Sequence, residues 1–488
     1  MISIRKGIFI VLILFIPSIL LFGQNSNRPV FTFNVYPDSV LNDVSNHPVG
    51  INLDYFMDDD KYLKPSRRTA DALKAMGVKF LRYPGGNKSD FYFFSKPPYE
   101  KSEPTLARTG KDAVGGRGKI LNEQYNGFKV DVLDFDEFMV LCREIGAEPV
   151  LVVAADEYRV DYPVGNLAST RKQLIDHAVE WVRYANIKKN YQVKYWMIGN
   201  ESWHESNPNS SAEIYAQDVV DFSKAMKAVD PNIHIVPNGN SGQFWKTVLT
   251  TAAGYIDDIC ISNYPVYNYR SAYATYRDTL QDLMGPVRRA LKAIDDYASP
   301  GDRDKLKLIV AEYGPFDWGK KWPFVNNMGY NLANFEITGE QLLEPRILFS
   351  CFWNTRWIEN DIEPYSVFDA LDKNGGFNAN GLGMMIWGNF LGNKMVKTSS
   401  SLHIRTFASF VPEEKKLYVY LMNKSEQTVN VKPDIKRYKV MKINQAWELV
   451  GTGPADTKPI WRKVPNLGKG GSQLLNGTSI RVIEYLLK

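Results

Sequence analysis

Cysteine is scarce in this chain: Cys142, Cys260 and Cys351 are the only three in 488 residues. They are widely spaced and each lies in an apolar stretch, which excludes a disulfide framework and reads as three small core residues. The five histidines lack the spacing of metal ligands, so neither a metal nor another cofactor is expected. An excess of one charge is missing too. The formal net charge of +5 falls to +3 without Arg5 and Lys6, and Lys and Arg are interleaved with Asp and Glu with no basic block. Nucleic acid is therefore excluded as a main partner. Beyond the first two dozen residues no apolar run is long enough to cross a bilayer, and no repeat or low-complexity tract stands out.

The first residues are different. Arg5 and Lys6 precede Gly7 to Phe22, an apolar stretch without charge, and Gly23-Gln24-Asn25 follows. This reads as a secretory leader over residues 1–23, cleaved near Gly23. The stretch is short for a membrane span, contains Pro17 and offers no cysteine for a lipid. The expectation is a secreted or periplasmic protein with no membrane contact after cleavage, its oligomeric state left open.

From Val49 onward, short runs of β-formers alternate with longer segments of helical period, the pattern of βα units around a parallel sheet. Eight strand candidates stand out: VGINLDY, VKFLRYPGG, EPVLVVAAD, KYWMIGNE, IHIVPNGN, DICISNYP, LKLIVAEYG and FSCFWNTRW. Helix candidates between them include SRRTADALKAMG, DFDEFMVLCREIG, RKQLIDHAVEWVRYANI and AEIYAQDVVDFSKAMKAVD, with stops at Gly77, Gly146 and Asp230-Pro231. A further helix near Gly381 to Met395 completes an α/β (β/α)₈ TIM barrel over residues 48–396. After Lys397 the segments become short, rich in β-formers and broken by turns, which predicts an antiparallel β-sandwich over 397–488. Residues 24–47, with VFTFNVYP, are expected to add a strand to that sandwich. The longest barrel connection, Ser95 to Lys129, reads equally as a rim element of a substrate cleft and as a surface loop.

In such barrels the reacting groups come from the C-terminal ends of the strands, where the βα loops converge. Glu201 ends the fourth strand and Glu312 the seventh, across the mouth from each other. Paired carboxyls facing one substrate suit glycosidic cleavage, where one donates a proton and the other attacks carbon or activates water. Taken singly, each glutamate reads as a surface ion-pair residue. Together, beside Asn200, Trp203, Tyr313 and Trp318, they read as a site. The other strand ends supply Asp54, Arg82, Asn87, Asp156, His204, Asn238, Tyr264, Trp353 and Trp357, polar groups for hydroxyls and rings for C–H faces.

These residues carry a resemblance. Asn200-Glu201 after the fourth strand, Glu312 after the seventh, Arg82 after the second, Tyr264 after the sixth and Trp353 after the eighth resemble clan A of the retaining glycoside hydrolases. Within it, RYPGGN (Arg82 to Asn87) and IGNE (Ile198 to Glu201), with a trailing sandwich, are similar to the α-L-arabinofuranosidases of family 51 and to families 39, 79 and 86. The resemblance implies Glu201 as acid/base and Glu312 as nucleophile, with the carboxyls about 5–5.5 Å apart. It also implies Asn200 as donor to the neighbouring sugar hydroxyl, and Arg82 and Tyr264 as partners of Glu312. The pKa of Glu201 is expected to be raised by the charge of Glu312. KSDFYFF after RYPGGN, and AEYG in the nucleophile strand, depart from the family pattern and leave the sugar open.

The reading is a secreted retaining hydrolase of a plant or algal cell-wall polysaccharide or its oligosaccharides. Lys88, Arg108, Lys111, Arg117 and Lys119 would suit an anionic or sulfated glycan, or serve as solvated loop charges. The alternatives are an inert carbohydrate-binding protein on a glycosidase barrel, against which the retained carboxylates and Asn200 speak, and an exported scaffold, favoured only by the sandwich.

Overall fold

A computed structural model describes residues 30–55, 57–107, 121–122, 127–156, 170–204, 211–265, 273–315, 325–356, 367–465 and 472–488. The leader, the loop cations Arg108, Lys111, Arg117 and Lys119, and the aromatics Trp318 and Trp357 lie outside them.

The eight expected strands form one parallel sheet. In chain order they are Val49–Asn52, Phe80–Tyr83, Glu148–Val153, Tyr195–Ile198, His234–Pro237, Asp258–Asn263, Lys307–Tyr313 and Ile347–Phe352, the first to eighth barrel strands. Each pairs with its sequence neighbours, the first pairs with the eighth, and a parallel bridge from Asn238 to Cys260 joins the fifth to the sixth and closes the barrel. The interior is packed, not open: Phe80 stacks on Phe349 with ring centroids 4.1 Å apart, among Val150, Val152, Tyr195, Met197, Val236 and Ile309. Cys260 and Cys351 fill this interior, Cys142 lies in the helix layer, and all three are buried and unpaired.

The helices begin where local chemistry satisfies their first N–H groups. Phe135–Ile145 starts with a reciprocal capping box between Asp134 and Glu137 and stops at Gly146, whose φ is 67°. Arg171–Val182 starts with the same box between Thr170 and Gln173. The last barrel helix, Ala379–Asn389, ends earlier than its apolar run suggests, and Lys394–Thr398 is a strand. Met395 is therefore a sheet residue, and the sandwich takes up the chain slightly before the change of texture at Lys397.

The second sheet has nine strands. Val30–Asp43 lies inside it, antiparallel to Lys394–Thr398 and parallel to Val429–Ile435. One face encloses a core of its own, with Phe33, Val35, Val419, Leu421, Val431 and Ile483. The other face packs on the barrel. Trp387 stacks on Phe335, 4.6 Å away, and lies tilted against Tyr420, 4.4 Å away, and the sandwich ring of Phe407 lies so close to Gly339 that a Cβ there would meet it at 2.4 Å. The protein is thus a (β/α)₈ barrel with a C-terminal β-sandwich.

One buried group in the helix layer sets an acid limit on stability. His177 stacks on Phe93 at 3.8 Å, its Nε2 accepts the Phe94 N–H at 3.2 Å, and burial pushes its pKa down to about 3 from 6.5. A neutral buried imidazole contributes stability that is complete above pH 6.5 and is lost as pH falls from 6.5 towards 3, because the unfolded chain takes up the proton first. His177→Gln retains an acceptor without that titration. Its melting temperature is expected to decline less than the parent's between pH 6.5 and pH 4, as scanning calorimetry would show; parallel declines would remove His177 from this role.

Candidate active site

Strand alternation decides which side chains enter the barrel mouth. On the first strand Asn52 points inward, on the second Arg82, and on the sixth Ser262 and then Tyr264 share the inward face. The seventh strand breaks the rule. Ile309 and Ala311 face the interior, so strict alternation would turn Glu312 outward and Tyr313 inward. A register shift opposite Ile261 and Ser262 makes Ala311 an extra residue, and this bulge returns Glu312 to the mouth. Tyr313, expected beside the site, is turned into the helix layer, where its hydroxyl meets Thr338 Oγ1 at 3.0 Å.

Arg82 is the hub of the floor and is 2 % exposed. Its Nη1 donates to Glu312 Oε1 at 2.9 Å and to Asn52 Oδ1 at 2.8 Å, its Nη2 to Asn200 Oδ1 at 2.6 Å, and its Nε faces Met197 Sδ at 3.2 Å. A buried guanidinium is tolerable only when its donors are used in this way. Tyr264 Oη donates to the second oxygen of Glu312 at 2.9 Å. Both carboxyl oxygens of Glu312 are thus fixed in place by Arg82 and Tyr264.

Glu201 sits above this floor, half-buried, with φ at 48°, a conformation costly for a residue with a Cβ. The turn that imposes it is braced throughout. Ser202 N donates to Asn238 Oδ1 at 2.8 Å, Ser202 Oγ to Asp156 Oδ2 at 2.8 Å, and His204 N to the Glu201 carbonyl at 2.7 Å. Only glycine fits at 199, where φ is 69° and a Cβ would lie 2.4 Å from Asp156. The pKa of Glu201 is raised to about 7, first by burial and second by the charge of Glu312, against a hydrogen bond from Ser262 and the charge of Arg82. The expected direction is present, with burial the larger cause.

The site therefore brings together Glu201, Glu312, Asn200, Arg82 and Tyr264. Asn87 is exposed at the rim, and Trp203 and His204 lie half-buried beside Glu201, their rings 5.4 Å apart. Trp353 is buried, its ring against Gly86, where a Cβ would be 2.3 Å from it. Three residues read as sugar ligands have protein partners. Asp54 is fully buried in an ion pair with Lys88, Asp156 and Asn238 brace the Glu201 turn, and each sits at the right height in the barrel but is occupied. Lys88, expected as a loop cation, is 1 % exposed and takes that charge inward. Sequence reasoning missed Asn52, which holds Arg82 and also donates to Ala311 O at 2.9 Å, and Ser262. The only signal for Asn52 was an amide within an otherwise apolar strand.

A barrel with an Asn-Glu pair after its fourth strand, a bulged Glu on its seventh and a sandwich behind it has the architecture of the clan A glycoside hydrolases. Within that clan the chain is family 51-like. A family model described as the alpha-L-arabinofuranosidase 1 domain matches residues 72–283. An intracellular exo-alpha-(1->5)-L-arabinofuranosidase of Acetivibrio thermocellus is 24 % identical over 301 residues, 57 % of this chain and 53 % of that protein. Alpha-L-arabinofuranosidase C of Emericella nidulans is 29 % identical over 188 residues, 35 % of this chain and 32 % of its own length. The chain thus spans about half, or a third, of the length of these relatives. The alpha-L-arabinofuranosidase of Thermotoga maritima, solved with arabinose, shares the fold with a TM-score of 0.69 at 18 % identity, over 93 % of this chain and 99 % of that one. A family 44 xyloglucanase of Paenibacillus polymyxa follows with 0.61 at 14 %, over 94 % and 99 %.

Proposed function

We propose that this protein is a retaining glycoside hydrolase that removes or cleaves neutral sugars, α-L-arabinofuranosyl units first among them, from a plant cell-wall polysaccharide or its oligosaccharides. The observation that carries the reading is the unequal treatment of the two carboxyls. Glu312 has both oxygens held by Arg82 and Tyr264, which leaves it positioned to attack. Glu201 is raised to about 7 and is protonated in the free enzyme near neutral pH, as a proton donor must be. Glu312 displaces the leaving group to give a glycosyl-enzyme while Glu201 protonates the departing oxygen; Glu201 then takes a proton from the water that releases the sugar. Asn200, oriented by Arg82, is placed to donate to the hydroxyl beside the reacting carbon.

Arabinofuranosyl specificity is supported by the family model and the named relatives. The burial of Lys88 against Asp54 removes one of the cations that would have suited a sulfated glycan. Export is supported by Arg5-Lys6 and the uncharged stretch behind them. Proton NMR of the first-formed product from an aryl α-L-arabinofuranoside tests the mechanism: the product is expected to keep the substrate's anomeric configuration, and initial inversion would remove the nucleophile role from Glu312.

A further inference from the structure

The sandwich has an aromatic and amide cluster that the catalytic reading leaves unused. Strand Val440–Val450 pairs with Ser479–Leu487 on one side and with the edge strand Ile460–Lys463 on the other. On one sheet face the indole of Trp447 stacks on that of Trp461, with centroids 5.5 Å apart and planes inclined by 8°. Trp447 and Trp461 are each half-buried. Phe390 abuts Trp461 at 5.8 Å and Tyr418 at 6.3 Å, extending the apolar ledge.

Beside the ledge the strand carries a bulge. Ile443 pairs with Tyr485 and Gln445 with Glu484, so Asn444 is the extra residue. The bulge turns two successive amides onto one carboxylate: Asn444 Nδ2 donates to Glu484 Oε1 and Gln445 Nε2 to Glu484 Oε2, each at 2.6 Å. Trp447 Nε1 donates to Gln445 Oε1 at 3.4 Å, linking amides to ring. Glu484 is 4 % exposed. Burying a carboxylate is costly, and here it fixes amides at the surface, where holding a side chain adds nothing to the core. Such pre-orientation is what a binding surface needs.

We propose that Trp447, Trp461, Asn444 and Gln445 form a second, non-catalytic binding platform for a neutral glycan. Flat rings match the C–H face of a sugar, and neutral planar amides match its hydroxyls without demanding charge. The platform lies on the sandwich sheet, outside the catalytic mouth, and none of the site residues belongs to it. Phe390 follows the last barrel helix, whose end is tied by Asn389 to the carbonyls of Ala75 and Met76, where the chain turns back into the second strand. The glycan held there is thus not the bond being cut; the platform keeps the protein on its polymer between catalytic events. The choice of a wall glycan rests on the function proposed above.

Retention on insoluble arabinan and insoluble xylan tests this, with Glu312→Gln as the parent so that the polymer is not degraded. Adding Trp461→Ala or Asn444→Ala is expected to weaken retention on at least one of the two by about tenfold, the worth of one stacked ring or a lost pair of contacts. In the presence of an intact Glu312, the same two substitutions are expected to leave kcat/KM on a small aryl α-L-arabinofuranoside within about twofold, which also reports correct folding. Equal retention of parent and variants, or no retention of the parent on either polymer, would overturn the platform. Tryptophan-dependent retention by a protein that cleaves no aryl glycoside would leave the platform standing and remove the catalytic reading instead.

Discussion

With Glu312 replaced by alanine, turnover is expected to fall by roughly 10⁴-fold or more on every glycoside the parent cleaves, whatever its leaving group. The loss is general because, in the proposed mechanism, the missing atom is the one that bonds to carbon in the first step. Steady-state rates with a poor and a good leaving group check this, and equal activity of variant and parent on either would place the site elsewhere. Added azide can enter the emptied space and attack from the face Glu312 occupied. Any azide product from this variant is therefore expected to be inverted, readable by proton NMR.

Glu201→Ala is expected to behave in the opposite way, because it removes a proton rather than a bond. An aryl glycoside with an acidic phenol leaves without assistance, so its first step should be far less impaired than that of a natural glycan, whose turnover is expected to drop by about 10²–10⁴-fold. The second step then lacks its base, the glycosyl-enzyme accumulates, and azide restores turnover as a glycosyl azide of retained configuration. The pH profile provides an independent reading. With a pKa of about 7, Glu201 is protonated below neutrality and loses its proton above it, so the parent's rate should decline on the alkaline side. In Glu201→Ala that limb should flatten. If the two variants gave the reverse stereochemistry, their roles would exchange.

The barrel was legible because its strands are apolar on both faces and its helices begin and end on capping residues, signals that need no tertiary information. Glu201 and Glu312 were legible for a related reason: an apolar run that stops at a carboxyl marks the height of the mouth. Height is all such a signal conveys. Asp54 and Asp156 stand at the same level, yet the first neutralises Lys88 and the second braces a turn, and no local pattern tells which partners a carboxylate at that height takes. The bulge at Ala311 was invisible for a complementary reason. It depends on register against the sixth strand, and it decided whether Glu312 or Tyr313 faced the barrel mouth. Asn52 was missed because its value lies in what Arg82 does with it.

The strand Val30–Asp43 sits between two partners drawn from the far end of the chain, Val30 opposite Asn430 and Val35 opposite Thr398. A segment made before the barrel must therefore wait for segments made after it. The barrel between them can assemble from neighbouring units as it emerges, whereas the sheet it interrupts bears a closure entropy spanning most of the polypeptide. During that interval the strand's unpaired edges are open, the condition in which chains pair with copies of themselves. Growth of the polypeptide thus sets a kinetic order, barrel first and sandwich after it, with the stretch from Val30 to Asp43 the one left waiting.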